Sequence, residues 1–503
     1  MIAVESAVIA AYYATLGLLA LYGWHRYYLL RLYYRHVSHR PRPAVRPGPL
    51  PTITVQLPVY NERYVVDRII RAACDLEYPS GRLEIQVLDD STDETSAIAA
   101  VLVEEMRRRG HDISHLRRPL RHGFKAGALA DGLRQARGEL VAVFDADFLP
   151  GPSFLLDLVP HFGDPRTGMV QARWGHLNRD YSALTRCQSI FLDGHFVIEH
   201  AARHRAGRFF NFNGTAGVWR RACIESAGGW QSDTLTEDLD LSYRAQLRGW
   251  KFVFAPEVVA PAELPADVDS FRAQQHRWTM GSIQTGMKIL PRLLRSRLPL
   301  PVKVEALFHL TSSISYALMV LLALLIVPAT AARRALGLGA TIGLDLPLFL
   351  LSTLSVMTFY LCAQREVRDD WQRTWVDLPV LMCVGIGLSL NNARAVCAAL
   401  LGRRRDFART PKHRLVGRSG DWRRTAYPSP SGRAWTAVEM LLGVYFTGAG
   451  IWAILAGHYT SLPLFLLFQA GYLSTSCLAL AQAARRRHGP SIQVPLTQAE
   501  KTP

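Results

Sequence analysis

The 503-residue sequence has seven cysteines, at positions 74, 187, 223, 362, 383, 397 and 477, with no Cys-x-x-Cys and no Cys/His cluster. That scatter argues against a disulfide framework and a zinc site, and fits a reducing cytoplasm for any soluble part. Acidic residues are in deficit: 41 Asp and Glu face 58 Lys and Arg, a formal net charge of +17. Nucleic acid is one reading of such an excess, but no nucleic-acid-binding motif accompanies it, and no nucleic-acid partner is expected. The basic residues instead crowd the ends of apolar runs. Arg26, Arg31, Arg35, Arg40, Arg42 and Arg46 follow the first run, and Arg403, Arg404 and Arg405 follow a later one. This is the positive-inside pattern, with attraction to anionic membrane lipids. The first run, residues 2–24, carries only Glu5 as a charge and lacks both a basic leader and a small-residue cleavage site. It reads as a retained transmembrane anchor rather than a signal peptide.

Hydrophobic residues make up 49% of the chain and are clumped. Four domains follow. Residues 1–25 form the N-terminal membrane helix and 26–51 a basic, Pro-rich linker, of which 39–51 should be extended. Residues 52–290 read as α/β. Residues 291–503 form a membrane domain with spans expected at 306–329, 340–363, 435–455 and 462–481. A further apolar run, 376–401, carries Asn391, Asn392 and Arg394 in its second half. Residues 402–433 hold ten Lys or Arg against two Asp, which places them in the cytoplasm. An even number of crossings must then separate them from a cytoplasmic 52–290 domain. Residues 376–401 are therefore expected to lie in the interface rather than to cross. Five crossings result, with the N-terminus outside, and Arg333 and Arg334 in an outside loop count against this arrangement. The alternative is a sixth crossing at 376–401.

Within 52–290, strands are expected at 53–57, 83–88 and 140–144, with helices at 67–75, 97–109 and 127–135. Alternation of this kind builds a mostly parallel sheet, which binds ligands at the carboxyl ends of its strands. Carboxylates stand at those ends. Asp145 and Asp147, after an apolar strand, suit Mg²⁺ or Mn²⁺ and the diphosphate it would neutralise. The bland alternative is a solvated turn, because Asp-x-Asp arises about once by chance in a chain of this size. Asp89 and Asp90 end an earlier strand. One can take hydrogen bonds from a nucleotide base or ribose while the other orients it, although residues 91–94 also read as a capping box for the next helix. Asp238 is the candidate general base, with Glu237 beside it. Both also suit the first turn of a helix at 239–247, where acids favour the macrodipole. Gln274, Arg277 and Trp278 offer bidentate phosphate binding and a flat face for a sugar, or else an interfacial anchor. Lys125 adds a cation at the diphosphate or is a snorkelling surface lysine. Asn213, Gly214 and Thr215 open a small-residue run that admits an acceptor sugar or makes a plain tight turn.

The motifs QLPVYNE, VLDDSTDET, HGFKAGAL, FDADF, FNGTAGVWRR, GGW, TEDLDLSYRAQLRGWKF, ELP and QQHRW occur in one order over residues 52–281. This text resembles the membrane-embedded family 2 glycosyltransferases, in particular the cellulose synthase-like branch with glucomannan and mannan synthases. The resemblance implies a GT-A-type, Rossmann-like cytosolic domain inserted between transmembrane helices. It also implies an inverting, metal-dependent hexosyl transfer from a nucleotide-sugar donor at the cell (inner) membrane. It assigns Asp89 to the nucleotide base, Asp145 and Asp147 to metal and diphosphate, and Asp238 to the base role. Gln274, Arg277 and Trp278 go to the donor diphosphate and acceptor terminus. Phe407, Thr410 and Lys412 resemble a gating loop of the form FxVTxK, although Arg409 and Pro411 depart from that pattern. Two acceptors stay open: a growing β-glycan, with GDP-mannose or UDP-glucose as donor, or a diacylglycerol or sphingoid lipid. A non-catalytic scaffold or export channel is the third reading, disfavoured by the intact carboxylates.

Overall fold

The computed structural model describes residues 2–38, 49–338, 342–403, 409–425, 427 and 433–487. Seven strands form one sheet: β1 Ile53–Val59, β2 Leu83–Asp89, β3 Ile113–Arg117, β4 Leu140–Val143, β5 Thr167–His176, β6 Gly217–Arg220 and β7 Lys251–Ala262. Their order is β3-β2-β1-β4-β6-β5-β7. The first four are parallel, as alternation predicts, but β6 runs antiparallel to both β4 and β5. The sheet is therefore mixed. The chain order reverses between β1 and β4, so the crevice for a ligand lies past Val59 and Val143, where Asp145 follows.

All four residues of β4 are fully buried, with layers of apolar side chains on both sides. Val55, Leu57, Ile70, Val87 and Phe144 pack on one face, and Val141, Val143, Phe196, Trp219, Leu241 and Phe252 on the other. Expected helices appear at Val66–Cys74, Thr95–Arg108, Phe124–Gln135 and Glu237–Leu247. The capping box expected at 91–94 does not form. The helix begins at Thr95 with no side-chain cap, and Asp93 Oδ1 accepts from the Thr95 N–H instead. Ser91 is diverted elsewhere: its hydroxyl accepts from the Asn61 N–H and its own N–H donates to Asp89.

The membrane helices are built onto this domain. The first runs to Arg35, ten residues past the expected linker start at 26, because Leu29, Leu30, Leu32 and Tyr33 bury themselves against the β6 face of the sheet domain. The span expected at 306–329 is broken: helix Leu300–Thr311 ends before helix Ile314–Ala335 begins. By length and composition, six helices among the described residues suffice to cross a bilayer, one more than the five expected crossings. The additional one, Trp371–Leu400, touches the sheet domain or its flanking helix near both ends. Asp377 pairs with Arg186 at 3.1 Å, and Asn391 Nδ2 donates to the Arg272 carbonyl at 2.9 Å. Between these points it bends at Leu388, where helix Thr374–Gly387 gives way to Ser389–Leu400. Gly387 makes the bend's close approach to the helix Leu462–Arg487 possible, since a Cβ there would sit 2.2 Å from Thr475. Arg333, awkward in an outside loop, is neutralised by Asp345 at 2.5 Å.

Candidate active site

One cavity at the carboxyl end of β1 and β4 is lined by residues from every motif read in the sequence except GGW. Asp90, Lys125, Asp145, Asp147, Asn213, Gly214, Glu237, Asp238, Gln274, Arg277, Trp278, Thr410 and Lys412 all contribute to its wall. Asp89, Thr215 and Phe407 are the exceptions. Asp89 is buried beneath the wall, accepting from the Ser91 N–H at 2.8 Å and pairing with His115 at 2.9 Å. Burial alone would raise its pKa. The hydrogen bonds from His115 and Ser91 overcome that and hold it at about 2. Of the two aspartates it is Asp90 that reaches the cavity, gripped by Arg118 through both carboxylate oxygens. Thr215 is fully buried and its hydroxyl accepts from the Asp145 N–H, so it supports the carboxylate motif from behind. Phe407 lies outside the described residues.

Asp145 follows β4 after Phe144, and its Oδ1 accepts a hydrogen bond from Lys125 Nζ at 2.5 Å. The same ammonium donates to the Gly214 carbonyl at 2.9 Å, which ties the metal-type carboxylate to the small-residue loop. Lys125 sits at the start of a helix entered through Gly123, at φ 71°. Burial lowers the affinity of this lysine for its proton, but Asp145 and Glu237 outweigh it and the net shift is upward. Asp147 is answered by Lys412 Nζ at 2.6 Å, which also donates to the Glu263 carbonyl. Thus segment 409–413 is docked on the sheet domain. Arg409 adds a bond to the Tyr60 carbonyl, and Glu263 accepts from the His413 N–H.

Asp238 occupies the first turn of helix Glu237–Leu247, and its Oδ1 accepts from the Leu239 N–H at 2.8 Å. It stands at the helix start, where an acid suits the macrodipole, and it also lines the cavity. Burial, reinforced by the charge of Glu237, pushes Asp238 up to about 7. Glu237 is raised for the same first reason, against the pull of Lys125. Gln274, Arg277 and Trp278 share one face of helix Val268–Arg295 by their i, i+3, i+4 spacing. Burial lowers the Arg277 pKa, while Glu237, Asp145, Asp238 and Asp147 all act to keep its charge. Gly281, one turn on, lets this helix press on Thr236, the residue before Glu237. The Trp278 and Trp174 ring centroids lie 6.4 Å apart, making an aromatic corner in the cavity wall.

Several wall residues had no role in the sequence reading. Glu62 and Glu263 belong to quoted motifs, yet nothing in their spacing marked them. Burial, against the charge of Arg409, raises Glu62 to about 8. Arg121 lies over the Tyr60 ring at 3.4 Å, a flat cationic surface beside Asp90. Oxygen atoms of Glu62, Asn213 and Thr410 are buried without a hydrogen bond, the Glu62 one with Arg409 at 3.6 Å, and a bound ligand would satisfy them.

Among the described residues no three His, Cys, Asp or Glu side chains are grouped to hold a metal. The donor set is two carboxylates, each now neutralised by an ammonium. That fits a hard divalent cation which keeps most positions for water and phosphate oxygens, and does not fit a closed structural site.

Residues 51–281 match the family model described as glycosyltransferase like family 2. This domain belongs to glycosyltransferase family 2. The chain is 44% identical over 252 residues to glucomannan 4-beta-mannosyltransferase 2 of Arabidopsis thaliana, covering 49% of this chain and 47% of that protein. It is 42% identical over 262 residues to glucomannan 4-beta-mannosyltransferase 1 of Oryza sativa subsp. japonica, covering 51% and 50%. The chain thus spans about half the length of these curated relatives. In fold, the family 2 domain and its flanking helices are similar to the mannosyltransferase PcManGT from Pyrobaculum calidifontis, solved in complex with GDP-Man and Mn2+. The TM-score is 0.52 at 21% identity, covering 80% of this chain and 99% of that one. With six apolar helices around a family 2 domain, the chain is a multi-pass membrane protein.

Proposed function

We propose that the cavity transfers a hexose, mannose foremost, from a nucleotide sugar to a β-glycan at the membrane, with inversion at the anomeric carbon. The observation that carries this reading is the convergence of Asp90, Lys125, Asp145, Asp147, Asp238 and Arg277 on one wall. Asp90, with Arg121 stacked on Tyr60, receives the nucleoside end of the donor. Asp145 and Asp147 would hold Mg²⁺ or Mn²⁺, which supplies charge neutralisation for the departing diphosphate. Lys125 and Arg277 place two further cations beside the same phosphates. Asp238 takes the acceptor hydroxyl proton as that oxygen attacks the anomeric carbon, and Glu237 beside it keeps its proton affinity high. Trp278 and Trp174 give the acceptor sugar an apolar face to stack on. Mannose is favoured because the curated relatives are named as glucomannan mannosyltransferases.

The orientation follows from charge and contact. The basic stretch 402–433 is cytoplasmic by composition, and Lys412 within it reaches Asp147, so the family 2 domain faces the cytoplasm. The Asp377–Arg186 and Asn391–Arg272 contacts support a re-entrant element at 371–400 that returns to the same side, with five other helices crossing.

A polymer acceptor is favoured over a lipid by the docked segment 409–413, which roofs the donor end and leaves the Trp278 end for a chain. The test supplies membranes holding the protein with labelled GDP-mannose, UDP-glucose or other nucleotide sugars and Mg²⁺ or Mn²⁺, and sorts product by solubility. Label from GDP-mannose in ethanol-insoluble polymer is expected. Label confined to chloroform-soluble lipid would establish the lipid acceptor instead, and no product from any donor would remove the catalytic reading.

A further inference from the structure

A chain of polar groups, half-buried near the cavity and buried at its far end, leaves the cavity wall and ends on the first membrane helix, and the mechanism above uses none of it. Asn213 Nδ2 lies 2.9 Å from His195 Nε2. His195 Nδ1 lies 3.0 Å from Glu199 Oε2, and Arg203 Nη1 donates to the same oxygen at 3.1 Å. Arg203 Nε reaches Glu305 Oε1 at 2.9 Å, and His25 Nε2 meets Glu305 Oε2 at 2.9 Å. His25 in turn stacks on Phe308, with centroids 4.2 Å apart. Arg203, Glu305 and His25 are buried. His195 and Glu199 sit on a π-helical turn, Gly194–His200, a wide turn found mostly at functional sites.

The proton positions along this chain follow from the partners. Glu199 is half-buried, and the loss of water opposes its ionisation, but Arg203 outweighs that and holds it well below the usual carboxylate range. An ionised carboxylate only accepts, so His195 carries its proton on Nδ1. His195 Nε2 faces the amide nitrogen of Asn213, so the ring accepts there and Asn213 donates through Nδ2. The Asn213 amide oxygen is thereby turned away from His195, and it is buried with no partner in a residue of the cavity wall. The next residue, Gly214, lies against the base: a Cβ there would stand 3.1 Å from Asp238 Oδ2.

We infer that His195, backed by Glu199, is a positioning residue that fixes the Asn213 side chain so that its amide oxygen accepts a hydrogen bond from a hydroxyl of the acceptor sugar beside Asp238. This rests on the transferase reading for the identity of the ligand as a sugar. Arg203, Glu305 and His25 anchor the far end of the pair to helix Leu300–Thr311 and to the first membrane helix, so the acceptor side of the cavity is braced against the membrane domain. With His195 replaced by an apolar residue, the Asn213 N–H₂ loses the acceptor that holds it, and the amide no longer keeps its oxygen toward the sugar, where an N–H₂ cannot take its place as an acceptor.

The experiment uses the full chain in nanodiscs and a β-1,4-linked manno-oligosaccharide as the acceptor probe. It has two readouts: oligosaccharide binding without donor, from tryptophan fluorescence, and transfer kinetics with GDP-mannose and Mn²⁺. His195→Leu and Asn213→Ala should each weaken oligosaccharide binding about five- to tenfold, the worth of one neutral hydrogen bond, and leave the GDP-mannose KM unchanged. The double variant should be no weaker than either single one, because the two act in series. His195→Gln, whose amide oxygen can accept from Asn213, should recover most of the binding. Unchanged binding in Asn213→Ala, additive losses in the double variant, or an altered donor KM alone would overturn the inference, as would a wild type that binds no oligosaccharide. Should His195→Leu fail to fold, Asn213→Ala and His195→Gln decide the matter. A wild type that binds the oligosaccharide yet transfers nothing sinks the transferase reading, while the binding results still judge this one.

Discussion

Asp238→Asn should lower sugar transfer by about 10²–10⁴-fold while leaving the protein in the membrane and folded. The substitution keeps the shape of the side chain and its bond from the Leu239 N–H, so the helix Glu237–Leu247 has no reason to move. What it removes is proton affinity. Burial and Glu237 set the Asp238 pKa at about 7, which is where a general base serves best near neutral pH. The sign of the pH dependence follows. Below about 7 the carboxyl is protonated and cannot take the acceptor proton, so the wild-type rate should fall about tenfold per pH unit on the acid side and level off above. Asp238→Asn should erase that limb from the profile. Persistence of the acid limb in the variant, at near wild-type rate, would assign the base role elsewhere. Glu237, raised by the same burial, is the first place to look.

Asp147→Ala should be nearly as severe, at about 10²–10³-fold, and chelation with EDTA should reproduce the loss in the wild type. The two interventions differ in a useful way. Lys412 depends on Asp147 for its charge partner and is itself buried, so removing the carboxylate strands an ammonium beside the Glu263 carbonyl. Asp147→Ala is therefore expected to loosen segment 409–413 as well, seen as faster proteolysis between residues 403 and 425. EDTA leaves that pair intact and should not change the cleavage rate. Equal rates of transfer with and without EDTA, in metal-stripped buffer, would remove the metal from the account. The Lys125–Asp145 and Lys412–Asp147 pairs would then be the permanent counter-charges of the diphosphate.

Much of this site was legible because its chemistry is written in local patterns. A four-residue apolar strand followed by Asp-x-Asp can only bury its apolar part and present its acids at the strand end. The i, i+3, i+4 spacing of Gln274, Arg277 and Trp278 puts them on one helical face whatever the tertiary context. What stayed hidden depended on partners far away in sequence. Which of Asp89 and Asp90 reaches the cavity is decided by His115 and Arg118 on and after the next parallel strand. The Thr215 hydroxyl is consumed by the Asp145 N–H, a contact across 70 residues. The capping box failed because Ser91 found Asn61 and Asp89 as better partners than the helix end. The antiparallel β6 carries no sign of its direction in its four residues. Charge parity led to the expectation that 376–401 lies in the interface, while its length and composition would suffice to cross, and the Arg186 and Arg272 contacts support the re-entrant element proposed above.

The resting arrangement also bears on mechanism. Asp145 and Asp147 are each paired with a lysine, Lys125 and Lys412, so under the proposed reading a donor would meet carboxylates whose charge is already balanced. Like charges at Asp145, Asp147, Glu237 and Asp238 would otherwise repel a diphosphate. Binding then exchanges one set of ion pairs for another, which keeps the electrostatic cost of loading the donor small.

The most direct measurement of the central claim is the anomeric configuration of the first bond formed. The common hexose nucleotides carry an α-linked diphosphate, and one base facing the attacking hydroxyl across the sugar from the leaving group permits a single displacement. Proton NMR of the product made from GDP-mannose by the purified chain should show a β-linked mannose. An α-linked product would mean retention, which the single displacement driven by Asp238 cannot give, and would contradict the account.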